Sequence, residues 1–255
     1  MNPKILYHYT SLDALVSILD SEDDHITLRA TQAKFFNDFK ECINLFDILS
    51  SFFSDFPNGI HSINNDNSAI VLIEDIKRSF IISFSSCFDD LNMWRGYGTN
   101  GLGIALGFNI NELDSYDKTS YTALIECEYD SNIIIEKWKK LYNLYYIKKE
   151  KGQYLDLTIS FLFDALTSKN ISFKFENEWR LCTTDANNIK FRSTGKTIIP
   201  YIEHLIPKNF VKEIIIGPCL NEDLIKEGII LLLQQRNFDL SKIEVKTSKV
   251  PYRHL

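Results

Sequence analysis

Phe173-Lys-Phe-Glu-Asn-Glu-Trp-Arg-Leu181 sets two carboxylates, Glu176 and Glu178, beside Trp179 and Arg180 within an aromatic, β-prone run. Alternate residues of a strand share a face, so an extended run places both glutamates on one side. Like charges that close repel, and shelter from water then raises at least one carboxyl pKa. Such a pair suits acid/base chemistry or the stabilisation of developing positive charge. The plainer alternative is a solvated strand edge on which Arg180 neutralises a glutamate.

Upstream, Ile5-Leu-Tyr-His-Tyr9 reads as a first strand, and Ser11 caps a helix with Leu12, Leu15, Val16 and Leu19 on one face. A strand at 26–30 precedes a helix carrying Phe39, Cys42, Ile43, Phe46, Leu49 and Phe53. Residues 54–67, rich in Asn, Ser, Asp, Gly and Pro, read as a surface loop. Phe80-Ile-Ile-Ser-Phe-Ser85 is a buried strand, followed by Met93-Trp-Arg-Gly-Tyr-Gly98 and Gly101-Leu-Gly-Ile-Ala-Leu-Gly-Phe108. Gly101, Gly103, Ala105 and Gly107 share a parity, leaving a bare face for a flat ligand in a cleft or for close backbone packing. The spacing is not that of a dinucleotide-binding GxGxxG turn.

Residues 122–129 alternate as a strand, and 131–168 form a helical segment, read as helices over 131–150 and 154–168. Beyond the glutamate pair come strands near 189–192, 197–203 and 211–216, a helix from an Asn221 cap to about Gln235, and a strand over 242–248. Strands around a helical middle, without regular βαβ alternation or a break in composition, give an α+β single domain over 1–255.

Composition narrows the classes. The chain of 255 residues is 45% hydrophobic and 13% aromatic, enough for a packed core. Its net charge of −6 argues against a general nucleic-acid or anionic-membrane binder. The basic cluster Lys137, Lys139, Lys140, Lys148, Lys149 and Lys151 reads as a solvated helix face, partly balanced by Glu136 and Glu150. Five scattered cysteines without a CxxC pair fit reduced thiols rather than zinc or a disulfide framework. No apolar run reaches the roughly 20 residues of a membrane span. The expectation is a cytoplasmic protein with no membrane partner and no metal.

His8-Tyr-Thr, Asn37-Asp with Glu41, Ser83-Phe-Ser, Trp94-Arg-Gly-Tyr-Gly, the Gly101–Phe108 block, Glu176-Asn-Glu-Trp-Arg, Ile214-Ile-Ile-Gly-Pro and Pro251-Tyr-Arg follow one another along the chain. Together they resemble the bacterial family called domain of unknown function 2971, with a match running from residue 6 to 253. The order His8, Ser83-Phe-Ser85, Glu176-Asn-Glu178 is also similar to the mono-ADP-ribosyltransferase fold, although a histidine with Ser-x-Ser mixes two of its subclass patterns. That resemblance implies split mixed/antiparallel sheets around a central cleft with flanking helices, and NAD as substrate.

In this reading Glu178 stabilises the oxocarbenium-like centre formed as the nicotinamide–ribose bond breaks, and Glu176 activates the acceptor. The resemblance places His8, with Tyr9 and Thr10, at the adenosine ribose and Ser83 and Ser85 at the nicotinamide. Trp94, Tyr97 and Trp179 supply flat surfaces, and Arg95 or Arg180 meets the pyrophosphate. The acceptor is a macromolecule, protein or nucleic acid, the setting bacterial toxicity or phage defence, and an antitoxin or other regulatory partner is implied. Alternatives are an NAD glycohydrolase, a catalytically silent ligand-sensing or protein-interaction module, and a nuclease using Asp38, Glu41, Asp89 and Asp90. No GxSxG elbow supports a serine hydrolase.

Overall fold

The strand Phe80–Ser85 (β3) is the point at which the sheet divides. One edge pairs antiparallel along its whole length with Glu178–Thr183 (β6), from Phe80↔Thr183 to Ser85↔Glu178. The other edge is shared. Its end meets Ile5–Thr10 (β1) at Tyr7↔Ser85, and its start meets His25–Gln32 (β2) at Thr31↔Ile81 and Gln32↔Phe80. Between those points β1 and β2 diverge.

A computed structural model describes residues 4–21, 23–36, 45, 74–116, 122–142, 154–184, 187–219 and 221–252. The expected helix carrying Phe39 to Phe53, the loop over 54–67, residues 143–150 of the expected first middle helix, Cys42 and Arg253 lie wholly or largely outside these. On the β1 arm the sheet continues through Ile104–Asn109 (β4) and Val211–Ile216 (β9) to Glu244–Thr247 (β10). On the β2 arm it continues through Ile198–Pro207 (β8) to Lys190–Ser193 (β7), while Thr122–Glu126 (β5) extends the sheet beyond β6. All these pairings are antiparallel except β9–β10, which is parallel. A parallel pair needs a crossover, supplied by the helix Glu222–Gln235. The protein is thus a single mixed α/β domain with an open sheet.

Helices among the described residues include Leu12–Leu19 (α1), Leu91–Gly96 (α2), Ile110–Ser115 (α3), Ser131–Tyr142 (α4), Tyr154–Thr167 (α5) and Glu222–Gln235 (α6). Ser11 caps α1 as its sequence predicts, its hydroxyl accepting from the Ala14 amide at 3.1 Å. Asn221 precedes α6 but makes no side-chain cap, so that helix start relies on Glu222 and Asp223 in its first turn. The described lysines of the basic cluster are partly paired: Lys137 with Asp164 at 2.6 Å and Lys139 with Glu136 at 3.0 Å. The larger apolar cluster gathers Leu6, Phe84, Leu106, Ile214 and Leu233 under α1 and α6; a second packs Ile81 and Cys182 against Trp138 and Phe161 of α4 and α5.

The glycine face serves packing. Gly101 lies in a 3-10 turn with φ +92°, not in β4, and faces Tyr252 and Pro218. A Cβ on Gly103 would stand 2.2 Å from the Thr10 carbonyl oxygen, so backbone crosses backbone there. No residue of 101–108 lines the cleft described below, contrary to the expectation that this strand borders it. Gly103→Ala is expected to cost about 3 kcal/mol through overpacking. Gly228→Ala, in α6 with nothing within 4 Å, should stabilise by about 0.5–1 kcal/mol. Urea midpoints of the two variants shifting the same way would contradict this assignment.

Candidate functional site

Where the arms separate, a cleft of about 390 Å³ opens, within the range of small-molecule sites. Register explains how two sequence motifs form one patch. Ser85 stands opposite Glu178, Ser83 opposite Arg180 and Ile81 opposite Cys182, so their side chains share a face. Tyr7, opposite Ser85, shares it too. His8 alternates to the other side, where its ring lies 5.9 Å from that of Phe84, and it borders the same cleft through the gap between the arms.

The Glu-Asn-Glu stretch is not one strand. Ile171–Glu176 forms a 3-10 turn, Asn177 takes a left-handed conformation (φ 40°, ψ 55°), and β6 starts at Glu178. Asparagine tolerates that conformation better than most residues. Its carbonyl accepts from the Ser86 amide at 3.0 Å, fixing the turn against the end of β3. Both carboxylates nevertheless converge, because both reach Lys169.

Lys169 is 5% exposed, and its ammonium donates to Glu176 and, at 2.8 Å, to Glu178. Arg180 donates from Nε to Glu178 Oε1 at 3.0 Å and from a terminal nitrogen to Oε2 at 2.9 Å. Its other terminal nitrogen donates to the Leu166 carbonyl at 2.6 Å. The Tyr97 hydroxyl donates to Glu176 Oε1 at 2.6 Å. Two buried acids are thus enclosed by two buried cations. The expected raised carboxyl pKa is corrected: burial pushes Glu178 upward, but Arg180 and then Lys169 outweigh it and hold the carboxyl at about 2. Their repulsion is offset because Lys169 bridges the two carboxylates and Arg180 clasps Glu178.

The scaffold around this cluster is polar. The Tyr129 hydroxyl accepts from the Glu178 amide at 2.9 Å, and the Cys127 amide donates to the Glu178 carbonyl at 2.9 Å. Lys169 lies two residues beyond the end of α5, its own amide donating to the Glu128 carbonyl at 2.9 Å. Ser85 is occupied structurally, donating to the Glu176 carbonyl at 2.6 Å and accepting from the Cys87 amide at 3.0 Å. Ser83 is half-buried at the cleft wall, with no hydrogen bond to its hydroxyl among the described residues. His8 donates from Nδ1 to the Ser83 carbonyl at 2.9 Å, leaving Nε2 as the ring's acceptor. Burial lowers the His8 pKa, partly offset by that carbonyl, so the ring is neutral at pH 7.

The remaining candidates divide. Thr10 and Tyr97 line the cleft. Tyr9 lines it too, but its ring packs 4.8 Å from that of Trp94 and its hydroxyl donates to the Cys87 carbonyl at 2.8 Å. Trp94 is 0% exposed and donates to Asp89 at 2.8 Å, a core residue outside the cleft lining. Arg95 is exposed, its guanidinium 5.9 Å from the Tyr252 ring, also outside. Arg180 is committed to Glu178, which displaces its expected place at a pyrophosphate. Asp89 and Asp90 are acceptors for Trp94 and for the start of α2, and no group of three or more potential ligands set to hold a metal occurs among the described residues.

Sequence reasoning missed Lys169, Arg29 and Arg192. Alternation in β2 does place Thr27, Arg29 and Thr31 on one face. Lys169 had no such signal.

The stability of this cluster should depend on acid. Glu178 has its pKa lowered from 4.5 to about 2, so its contribution is complete above about pH 4.5 and is lost as pH falls toward 2. That contribution is on the order of 3 kcal/mol. The lowered His8 pKa has the same sign, penalising the fold as pH drops below 6.5. Urea midpoints should therefore be lower at pH 4 than at pH 7 and lower still at pH 3; a constant midpoint would contradict the cluster's electrostatics.

The fold and site define a mixed α/β protein whose divided sheet holds a cleft over an enclosed acid–base cluster. Residues 93–181 match a family model described as Protein of unknown function (DUF2971), so the resemblance to that family is shown across α2, β4, β5 and the start of β6. The matched stretch includes Tyr97, Lys169, Glu176, Glu178 and Arg180. No curated protein and no solved structure matches the chain. Among the described residues, no helix is long and apolar enough to cross a membrane.

Proposed function

We propose that this protein consumes NAD, transferring ADP-ribose to a macromolecular acceptor, and that its divided sheet is of the ADP-ribosyltransferase kind. The observation that carries the reading is the meeting of His8, Ser83, Glu176 and Glu178 around one cleft from three separate strands and a turn. The nicotinamide–ribose bond breaks with its electron pair leaving on nicotinamide, and Glu178, ionised at any physiological pH, stabilises the positive centre left behind. The acceptor's lone pair forms the new bond to the ribose carbon, and its proton passes to Glu176, which meets the cleft mouth through Tyr97. Arg180 and Lys169 position the carboxylates rather than contact the nucleotide. A cytoplasmic setting, toxicity or defence as the role, and restraint by an antitoxin or other regulatory partner belong to the same proposal.

One observation favours a second reading. Both Glu178 carboxylate oxygens already accept hydrogen bonds and the residue is 5% exposed, which suits a catalytically silent module that binds a ligand in the cleft. Purified protein incubated with NAD, with and without cell lysate, separates the cases. Nicotinamide release only with lysate indicates transfer, release without it indicates hydrolysis, and none in either leaves the silent module.

A further inference from the structure

The wall of the cleft opposite the acids is basic for a reason the enclosed cluster does not explain. Among the charged residues lining the cleft, Lys169 and Arg180 are matched by Glu176 and Glu178, while Arg29 and Arg192 have no carboxylate partner among the described residues. They come from different strands and converge. β2 pairs with β8 at Thr31↔Tyr201, and β7 pairs with β8 at Lys190↔Tyr201 and Arg192↔Ile199, so one face carries Arg29, Thr31, Tyr201, Lys190 and Arg192.

The Arg29 guanidinium lies over the Tyr201 ring, 5.1 Å from its centre. Arg192 donates to the Thr31 hydroxyl at 3.0 Å. The acid across the ladder from Arg29, Glu203, is instead held by Lys190 at 2.6 Å. Partial burial and then the nearby charge of Arg29 hold the Arg192 pKa below its ordinary value. An acidic chain of net charge −6 thus keeps two unneutralised cations side by side on a cleft wall.

We propose that Arg29 and Arg192 form a phosphate-binding subsite on the β2–β7 wall of the cleft, taking a doubly charged phosphate or diphosphate group of the ligand. Two planar donor forks match the oxygens of such a dianion, and its charge removes the repulsion between the arginines. A single carboxylate would satisfy only one fork. The subsite requires no nicotinamide chemistry, so it stands or falls separately from NAD consumption.

The test is calorimetric titration of the full chain with inorganic pyrophosphate. Saturable binding that weakens with added salt is expected. Arg29→Gln and Arg192→Gln should each weaken it by about tenfold or more, as charge-assisted hydrogen bonds are lost, and the double variant should abolish it. Both side chains are exposed, so thermal melts should show folded variants. Lys196→Gln, in the exposed β7–β8 turn and outside the cleft, is the control and should bind as the parent does. Displacement of pyrophosphate by ADP-ribose identifies a dinucleotide's diphosphate as the source of the phosphate. Displacement only by a 5′-phosphorylated oligonucleotide identifies the doubly charged terminal phosphate of a nucleic acid as the source. Absence of saturable binding, or equal binding by the parent and the double variant, overturns the subsite whether or not nicotinamide is released.

Discussion

Lys169→Met is expected to destabilise the protein by about 3–5 kcal/mol, the cost of leaving buried carboxylate charge without its partner. Methionine keeps the length and apolar stem of the lysine, so little of the loss comes from packing. What disappears is the cation that both acids share. Glu178 keeps Arg180, but Glu176 retains only the Tyr97 hydroxyl among its described side-chain partners. Urea unfolding at pH 7 reads the effect. Adding Glu176→Gln should return much of the loss, since it removes the charge left stranded, and the double-mutant cycle isolates that coupling. A single-variant loss below about 1 kcal/mol would mean that water reaches the cluster and screens it.

Glu178→Gln should reduce nicotinamide release by about a hundred- to a thousand-fold, the usual scale for removing a fixed charge from a transition state. It should also lower stability by about 3 kcal/mol or more, because the buried Arg180 guanidinium loses the carboxylate charge it clasps while Lys169 keeps only Glu176 of its two acids. Lys169→Met supplies the comparison: it costs similar stability while leaving Glu178 ionised against Arg180. Turnover must therefore be measured per folded molecule, at a temperature below both melts. If the two variants lose activity equally, Glu178 is a structural anion and the proposed chemistry has the wrong residue. If Glu178→Gln keeps its turnover, the carboxylate charge takes no part in the reaction.

Most of the strands were legible because their signals are local. The apolar runs at 80–85 and 211–216 reappear as strands with the expected boundaries, and Ser11 caps α1 as expected. The Glu176–Glu178 stretch misled on conformation and on charge together. Period-two spacing suggested an extended run, whereas a left-handed Asn177 joins a turn to a strand. The pKa direction then depended on Arg180 and on Lys169, the latter delivered by the end of a helix that pairs with residues following β5. Trp94 illustrates the opposite error, an aromatic in a suggestive motif that turned out to fill the core. Arg29 and Arg192 become neighbours only through β8, which no short sequence window contains.

The position of β1 also orders events during synthesis. It bears His8, yet its partners are residues 104–109 and Ser85, and its Tyr7 hydroxyl donates to Glu213 at 2.5 Å. Among the described residues, the last in the chain to line the cleft is Arg192. An emerging chain therefore exposes the histidine early but has no cleft until Arg192 is made, and it lacks the strand beyond β4 until β9 follows. Folding dominated by such distant pairings is slow. A ribosome-bound nascent chain truncated before β6 is consequently devoid of the complete pocket, however long it waits.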